Sequence, residues 1–121
     1  MDNMSYNDIH TDVVKEAIKD AYEVFTERFE LNYSLTEIEE FDFGNHAICV
    51  HFTDGSKNWE KWLTRIDVFN MVSWLHQEVE TLHDSYVWAQ ECNRAGMRSR
   101  MVVHNQSMLV LTKLIMTMPE E

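Results

Sequence analysis

The fold of this chain is decided by residues 46–63, which read HAICVHFTDGSKNWEKWL. Residues 46–53 alternate between two faces, the pattern of a half-buried β-strand. One face carries Ile48, Val50 and Phe52, and the other carries Cys49, His51 and Thr53. Asp54-Gly55 is a strong signal for a tight hairpin turn. Residues 57–63 alternate again, so we favour a third strand here over a direct entry into a helix. With Gly44-Asn45 as an earlier turn, the sequence predicts an antiparallel meander of two or three strands over residues 36–63.

Amphipathic helices flank this meander on both sides. Residues 7–30 place apolar side chains on one face at helical spacing, which predicts an N-terminal helix. After the meander, apolar residues step by three and four from residue 68 to about residue 94, with Asp67 as the expected cap and Gly96 as the expected stop. A final helix is predicted over residues 98–118. The predicted fold is therefore a single α+β domain over residues 1–121, ending in a long antiparallel helical hairpin over residues 67–118.

The length of this hairpin predicts self-association. A helix from Asp67 to Arg94 is about 40 Å long at 1.5 Å per residue. A compact chain of 121 residues has a diameter of only about 35 Å. Either the helix breaks near residues 80–84, or the protruding part packs on another chain. We expect a homodimer formed through the hairpin.

The whole chain has a net charge of −11, and nearly all of this negative charge lies in its first half. Residues 1–60 carry fourteen Asp and Glu against four Lys and Arg, whereas residues 61–121 carry seven against six. Such a surface repels nucleic acid and anionic membranes and attracts basic proteins. An acidic stripe on the first helix and its continuation on the first strand form the predicted partner-binding surface: Glu16, Asp20, Glu23, Glu27, Glu30, Glu37, Glu39, Glu40 and Asp42. The alternative interpretation is an ordinary solvated face.

Two further groups of residues are candidates for contacts. Trp62 and Trp88 lie off the main apolar stripes, and exposed tryptophans are favoured anchors at protein interfaces. A basic group made of Arg94, Arg98 and Arg100 has no acidic neighbour in the sequence between Glu91 and Glu120. This group is an alternative site for a phosphate-bearing small molecule, and its other interpretation is a solvated helical turn.

Metal binding and catalysis have little support in the sequence. His76, Glu80, His83 and Asp84 share one helical face, but the Glu-x-x-His spacing occurs once, whereas di-iron bundles need it twice. The final helix offers only His104, and the other obvious donors for a closed zinc site are His46 and His51. No nucleophile elbow or glycine-rich phosphate loop is present. We therefore expect no metal, no cofactor and no enzymatic activity.

The remaining features indicate a cytoplasmic protein. Cys49 and Cys92 match no zinc or redox spacing and are expected to be buried free thiols. The N-terminal residues are polar and acidic, unlike a signal peptide, and no apolar run approaches the length of a membrane span.

Together these patterns predict a non-enzymatic acidic inhibitor that occupies a basic site on a target protein. Targets of this kind include nucleic-acid-binding proteins and nucleases, so the expected classes are phage anti-host or anti-defence proteins and toxin-immunity proteins. Two alternatives stay open. One is a secretion-type chaperone that binds an extended segment, and the other is a homo-oligomer that sequesters a nucleotide-like small molecule.

Overall fold

The computed structural model describes residues 6–42 and 47–118, with side chains from residues 12–39 and 48–118. The described elements are α1 (Tyr6–Arg28), β1 (Ser34–Asp42), β2 (Ala47–Thr53), β3 (Asn58–Trp62), α2 (Arg65–Trp88) and α3 (Glu91–Thr117). This arrangement confirms the predicted α+β class. None of the described helices is both long and apolar enough to cross a membrane.

The three strands form an antiparallel sheet in the order β1-β2-β3. The third strand therefore forms, as the alternation predicted. The turn before it depends on Asp54, whose Oδ1 accepts hydrogen bonds from the backbone N–H groups of Ser56 (2.9 Å) and Lys57 (2.7 Å). Gly55 has a φ of 98°, a conformation that residues with a Cβ rarely adopt. The predicted turn at Gly44-Asn45 lies outside the described residues, as does His46.

One face of the sheet packs against the helices and forms the core. Ile38, Ile48, Val50 and Phe52 are buried on this face. The helices contribute further buried side chains: Val14, Ile18, Ala21, Val68, Met71, Leu75, Leu111 and Leu114. Tyr22, at the edge of this core, packs its ring against Phe52 and Trp74. The apolar faces predicted for the three helices are buried along most of α1, in α2 up to Leu82 and in α3 from His104 onward.

The helical hairpin turns earlier than the sequence indicated. Its tip is Ala89-Gln90 rather than the predicted stop at Gly96, which lies inside α3. The cause is a contact across the tip: the Arg94 guanidinium donates hydrogen bonds to the carbonyls of Tyr86 and Val87, at 3.1 and 3.3 Å. The Tyr86 carbonyl also accepts a hydrogen bond from the Ala89 backbone N–H at 3.2 Å. A basic side chain near a helix C-terminus can supply further donors to its last carbonyls.

At its start, α2 uses a different cap from the predicted one. Thr64 is the N-cap, and its hydroxyl accepts a hydrogen bond from the backbone N–H of Asp67. The Asp67 carboxylate in turn accepts a hydrogen bond from the Thr64 backbone N–H at 2.7 Å. The pair is a capping box, so Asp67 contributes as the third helical residue rather than as the cap.

The hairpin extends beyond the rest of the domain. Helix α2 runs without a break across residues 80–84 and is about 36 Å long. Near its middle, Arg28 at the end of α1 contacts Glu78 and Thr81. In the stretch between Leu82 and His104, all of it described, no residue is buried. The outer turns of α2 and α3 therefore form an arm without a core of its own.

Helix α1 ends in a conformation that usually requires glycine. Glu30 has a φ of 51°, and two backbone hydrogen bonds close the helix end, from Leu31 N–H to the Thr26 carbonyl and from Glu30 N–H to the Glu27 carbonyl. This pattern is a Schellman motif with a glutamate at its left-handed position. A residue with a Cβ is strained there.

Candidate protein-binding groove

A groove runs between α1 and α3, which lie antiparallel along it. It consists of two adjoining parts of about 460 and 370 Å³ that share Asp20, Glu23 and Val103. Its floor and rim come from residues of both helices: Val13, Glu16, Ala17, Lys19, Glu27, Ser99, Val102, Gln106, Ser107 and Val110. Most of the predicted acidic stripe on α1 therefore faces a concave surface.

The groove has an apolar floor and an acidic rim. Val102 and Val103 on α3 leave 62% and 52% of their surface exposed, and Val13 on α1 leaves 41% exposed. Glu16, Glu23 and Glu27 are exposed along the α1 side. Sequence reasoning did not identify the valines as site residues. The sequence signal that could have identified Val102 and Val103 is an apolar pair that lies outside the buried stripe of α3.

Asp20 differs from the other acidic residues of the stripe because it is turned into the protein. Its Oδ2 lies 2.8 Å from His104 Nδ1 and accepts a hydrogen bond from the Ser107 hydroxyl at 2.9 Å. The Asp20 and His104 side chains are only 12% and 8% exposed. Asp20 is therefore not an exposed member of the stripe, and its predicted role in partner binding stays a prediction. Both donors bind the same carboxylate oxygen, so the Ser107 hydroxyl is not hydrogen-bonded to the imidazole as a serine nucleophile would be.

One end of the groove contains an ion-pair network centred on Glu78. The Arg28 guanidinium lies 3.0 Å from Glu78 Oε1, and Arg100 lies 3.5 Å from Glu78 Oε2. Arg100 has no acidic neighbour in the nearby sequence, but in the fold it pairs with Glu78 of α2. Arg100 partly neutralises the acidic rim at this end, and Lys19 lies 3.9 Å from Glu16 Oε2 at the other end. Three glutamates against one lysine still leave an excess of negative charge along Glu16, Glu23 and Glu27.

The acidic residues of β1 belong to a different surface. Glu37 and Glu39 alternate with the buried Ile38, so they lie on the face of the sheet away from the helices. The Glu39 carboxylate accepts a hydrogen bond from the His51 ring, with 2.8 Å between Oε1 and Nε2. The side chains of Glu40 and Asp42 lie outside the described part of the chain. Among described side chains, the α1 stripe and the β1 group are therefore not one continuous patch, because strand alternation turns Glu37 and Glu39 outward.

Both candidate tryptophans are exposed, at different places. Trp62 is 49% exposed and pairs with Cys49 in the sheet register, on the outer face. Trp88 is 87% exposed at the end of α2, beside the half-exposed Val87. Neither lines the groove.

The three candidate arginines do not form one site. Arg94 caps the end of α2, and Arg98 donates a hydrogen bond to the Tyr86 hydroxyl at 2.7 Å. Both guanidinium groups also lie near the Tyr86 ring, at 5.4 and 5.7 Å from its centre. The contact with Arg98 lowers the pKa of Tyr86. Because Arg100 pairs with Glu78 instead, the geometry gives no particular support to a phosphate site at this tip.

Metal-ligating side chains converge at a place that the sequence did not indicate. Glu39, Cys49 and His51 bring one ligand atom each to within 4.8 Å of one another. The residues first considered for a metal do not: His76 and Glu80 form an exposed pair at 3.8 Å, and His83 and Asp84 are exposed on the same helix. The two cysteines are free thiols, with Cys49 buried as predicted and Cys92 exposed, contrary to prediction.

Comparisons with protein-family models, with curated proteins and with solved structures give no match for this chain.

Proposed function

We propose that this chain is a non-enzymatic binding protein that holds a basic, amphipathic helical segment of a target protein in the α1–α3 groove. The observation that carries the proposal is the combination of exposed valines on the groove floor with exposed glutamates on its rim. A helix with an apolar stripe flanked by Lys or Arg is complementary to both features. Docking a helix into a groove is a common mode of protein recognition.

The acidic rim has a length that suits such a segment. Glu16 and Glu27 are eleven positions apart on α1, which corresponds to about 16 Å along a helix axis. Glu23 lies between them, so the rim presents carboxylates at roughly one-turn and two-turn spacing. A partner helix of about three turns with basic residues along one edge could face all of them.

The two features contribute differently to binding. Exposed ion pairs are worth only about 0.2–1 kcal/mol each and weaken in salt, so the rim mainly accelerates association and selects basic partners. Durable affinity comes from apolar contacts shielded from water, here Val13, Val102 and Val103. We therefore expect fast, salt-sensitive association and slower dissociation.

Within this proposal, the protein is an inhibitor that covers a basic site on a nucleic-acid-binding protein or nuclease. That places it with phage anti-host or anti-defence proteins or with toxin-immunity proteins, acting in the cytoplasm. We further propose a homodimer formed through the hairpin, because the arm around Trp88 has exposed apolar side chains and no core.

A charge-matched pair of variants tests the proposal. The groove variant changes Glu16, Glu23 and Glu27 to Lys, and the control variant changes Glu80, Asp84 and Glu91 to Lys. All six residues are exposed. Both variants have a net charge of −5 instead of −11, so they differ in where the charge changes and not in how much.

The first probe is a synthetic helical peptide with a leucine face flanked by lysines, and its binding is measured by fluorescence anisotropy at low and moderate salt. We expect the control variant to bind nearly as well as wild type and the groove variant to lose at least tenfold in affinity. Equal loss in both variants would mean that only net charge attracts the peptide. That outcome contradicts the proposal.

Native mass spectrometry on protein purified from its own cells extends the test to natural partners. A bound protein that leaves as salt rises, and that the groove variant does not retain, supports the inhibitor proposal. A salt-resistant complex with an unfolded segment favours the chaperone alternative. A homo-oligomer carrying a small bound molecule favours the sequestering alternative.

A further inference from the structure

The outer face of the sheet carries a group of potential metal ligands around a buried thiol. Cys49 on β2 is 1% exposed, although it lies on the face away from the helices. Its neighbours in the register are Glu39 on β1 and Trp62 on β3. Directly opposed residues of adjacent strands share a face and lie close together. His51, two positions further along β2, lies on the same face, so sheet geometry alone brings together the thiol, the imidazole and the carboxylate.

These three groups form a ligand set that zinc accepts. Zinc in proteins binds thiolate sulfur, imidazole nitrogen and carboxylate oxygen at about 2.0–2.3 Å, in tetrahedral geometry. Ligand atoms around such an ion are therefore about 3.3–3.8 Å apart. The ligand atoms of Glu39, Cys49 and His51 already lie within 4.8 Å of one another. The ligand atoms would need to move by about 1 Å to reach tetrahedral distances from one another. Side-chain rotation can supply that movement while the strands stay in place.

The two nitrogens of His51 face different carboxylates. Nε2 points at Glu39 Oε1 at 2.8 Å, and Nδ1 lies 3.9 Å from Glu60 Oε1 on β3. Metal-binding histidines usually donate their second ring N–H to a carboxylate, which fixes the tautomer and orients the ring. Glu60 is the carboxylate nearest to Nδ1 on β3, and it would have to move about 1 Å closer to accept that hydrogen bond. Its place beside Nδ1 is an observation separate from the distances among the three ligand atoms.

We propose that Glu39, Cys49 and His51 bind a zinc ion through Oε, Sγ and Nε2, with Glu60 orienting the imidazole and water as the fourth ligand. The site lies on the sheet and is separate from the α1–α3 groove. The proposal differs from the expectation of no metal, which was based on the sequence. That expectation arose because the three residues have no recognised zinc-binding spacing.

The charges of the site balance when the metal is bound. One thiolate and one carboxylate neutralise the dication, while the imidazole is neutral. Binding releases the thiol proton, together with the imidazole proton wherever His51 is charged. Without a metal, burial raises the pKa of the Cys49 thiol, and Glu60 and Glu39 raise it further. A nearby dication would offset both effects by stabilising the thiolate.

Cobalt(II) is the probe for the first experiment because its thiolate complexes absorb through a sulfur-to-metal charge-transfer band. The protein is titrated with cobalt(II) under reducing conditions and then with zinc(II), which should displace it. We expect a one-to-one complex with the charge-transfer band. Cys49→Ser should lose the band, and Cys92→Ser, the matched control at the other cysteine, should keep it.

The other ligands are tested with variants at positions whose side chains are at least partly exposed. His51→Gln and Glu39→Gln should each weaken zinc affinity at least tenfold by calorimetry, and Glu60→Gln should weaken it about tenfold. His76→Gln serves as the histidine control and should bind zinc as wild type does. The groove variant with Lys at positions 16, 23 and 27 should keep its zinc affinity, which separates this inference from the proposed function.

Three results would overturn the inference. The first is the absence of a thiolate band in wild type. The second is a band that disappears in Cys92→Ser, which would assign binding to the exposed thiol. The third is zinc affinity that His51→Gln and Glu39→Gln leave unchanged, which would indicate a metal held by the cysteine alone.

Discussion

The hydrogen-bond network of Asp20 should tie α1 to α3 and be worth several kcal/mol to the fold. The Asp20 carboxylate is 12% exposed, and its Oδ2 receives both of its described partners, His104 at 2.8 Å and Ser107 at 2.9 Å. A hydrogen bond to a charged group contributes about 1.5–3 kcal/mol. We therefore expect Ser107→Ala to reduce the free energy of unfolding by about 1.5 kcal/mol.

Removing the carboxylate itself should cost more, because it leaves two buried donors without their acceptor. Each buried group left unsatisfied costs about 1–3 kcal/mol. The expected loss for Asp20→Ala is thus about 2–4 kcal/mol. In the double variant the two losses should not add, because the hydrogen bond between the residues can be lost only once. The expected coupling is about 1 kcal/mol or more.

Urea unfolding of wild type, both single variants and the double variant measures this coupling. Glu16→Ala is the matched control, since this residue lies one turn away on α1 with a side chain that is 76% exposed. It should change stability by about 0.5 kcal/mol or less. Losses at Asp20 and Ser107 that add within about 0.5 kcal/mol would refute the network. If Asp20→Ala reduced the free energy of unfolding as little as Glu16→Ala, Asp20 would behave as an ordinary exposed residue of the stripe.

Two further predictions concern local backbone structure. Glu30→Gly should raise the free energy of unfolding by about 0.5–1 kcal/mol, because glycine adopts the positive φ at the end of α1 without strain. Thermal unfolding measures this effect, and a lower melting temperature than that of wild type would contradict the prediction. For the turn at Asp54, hydrogen bonds from the backbone N–H groups of Lys57 and Ser56 lower the pKa of its carboxyl. A carboxyl whose pKa is lower in the folded state stabilises the fold above its unfolded value of 3.8, and this contribution is lost as the pH falls through the folded value. Wild type should therefore exceed Asp54→Asn in stability near pH 6 and lose that advantage towards pH 3 in urea titrations; a difference independent of pH would show that the charge is not involved.

The class of fold and the order of its elements follow from local sequence patterns. Period-two alternation in residues 46–53 and the Asp54-Gly55 turn identify strands, and three- and four-residue spacing identifies helices, because each signal arises from local backbone geometry. The burial of Ile18, Val50 and Leu111 follows from the same periodicities. The exposed glutamates of α1 were also predictable, since they lie opposite its apolar face.

Which polar residues meet depends on long-range packing. Asp20 has the same spacing as Glu16 and Glu23, and its inward position depends on His104 and Ser107, more than eighty residues away. The end of α2 likewise depends on Arg94 reaching back across the tip. Such partners are absent from any local window of sequence, so local spacing cannot reveal them.

The groove and the proposed zinc site were decided in the same way. The groove exists because α3 packs beside α1 and places Val103 next to Glu23. The zinc ligands meet because the strand register sets Glu39 opposite Cys49. A shift of that register by one residue would turn every side chain of the strand to the other face. Local periodicity therefore determined the elements of this protein, and long-range packing and register determined its candidate sites.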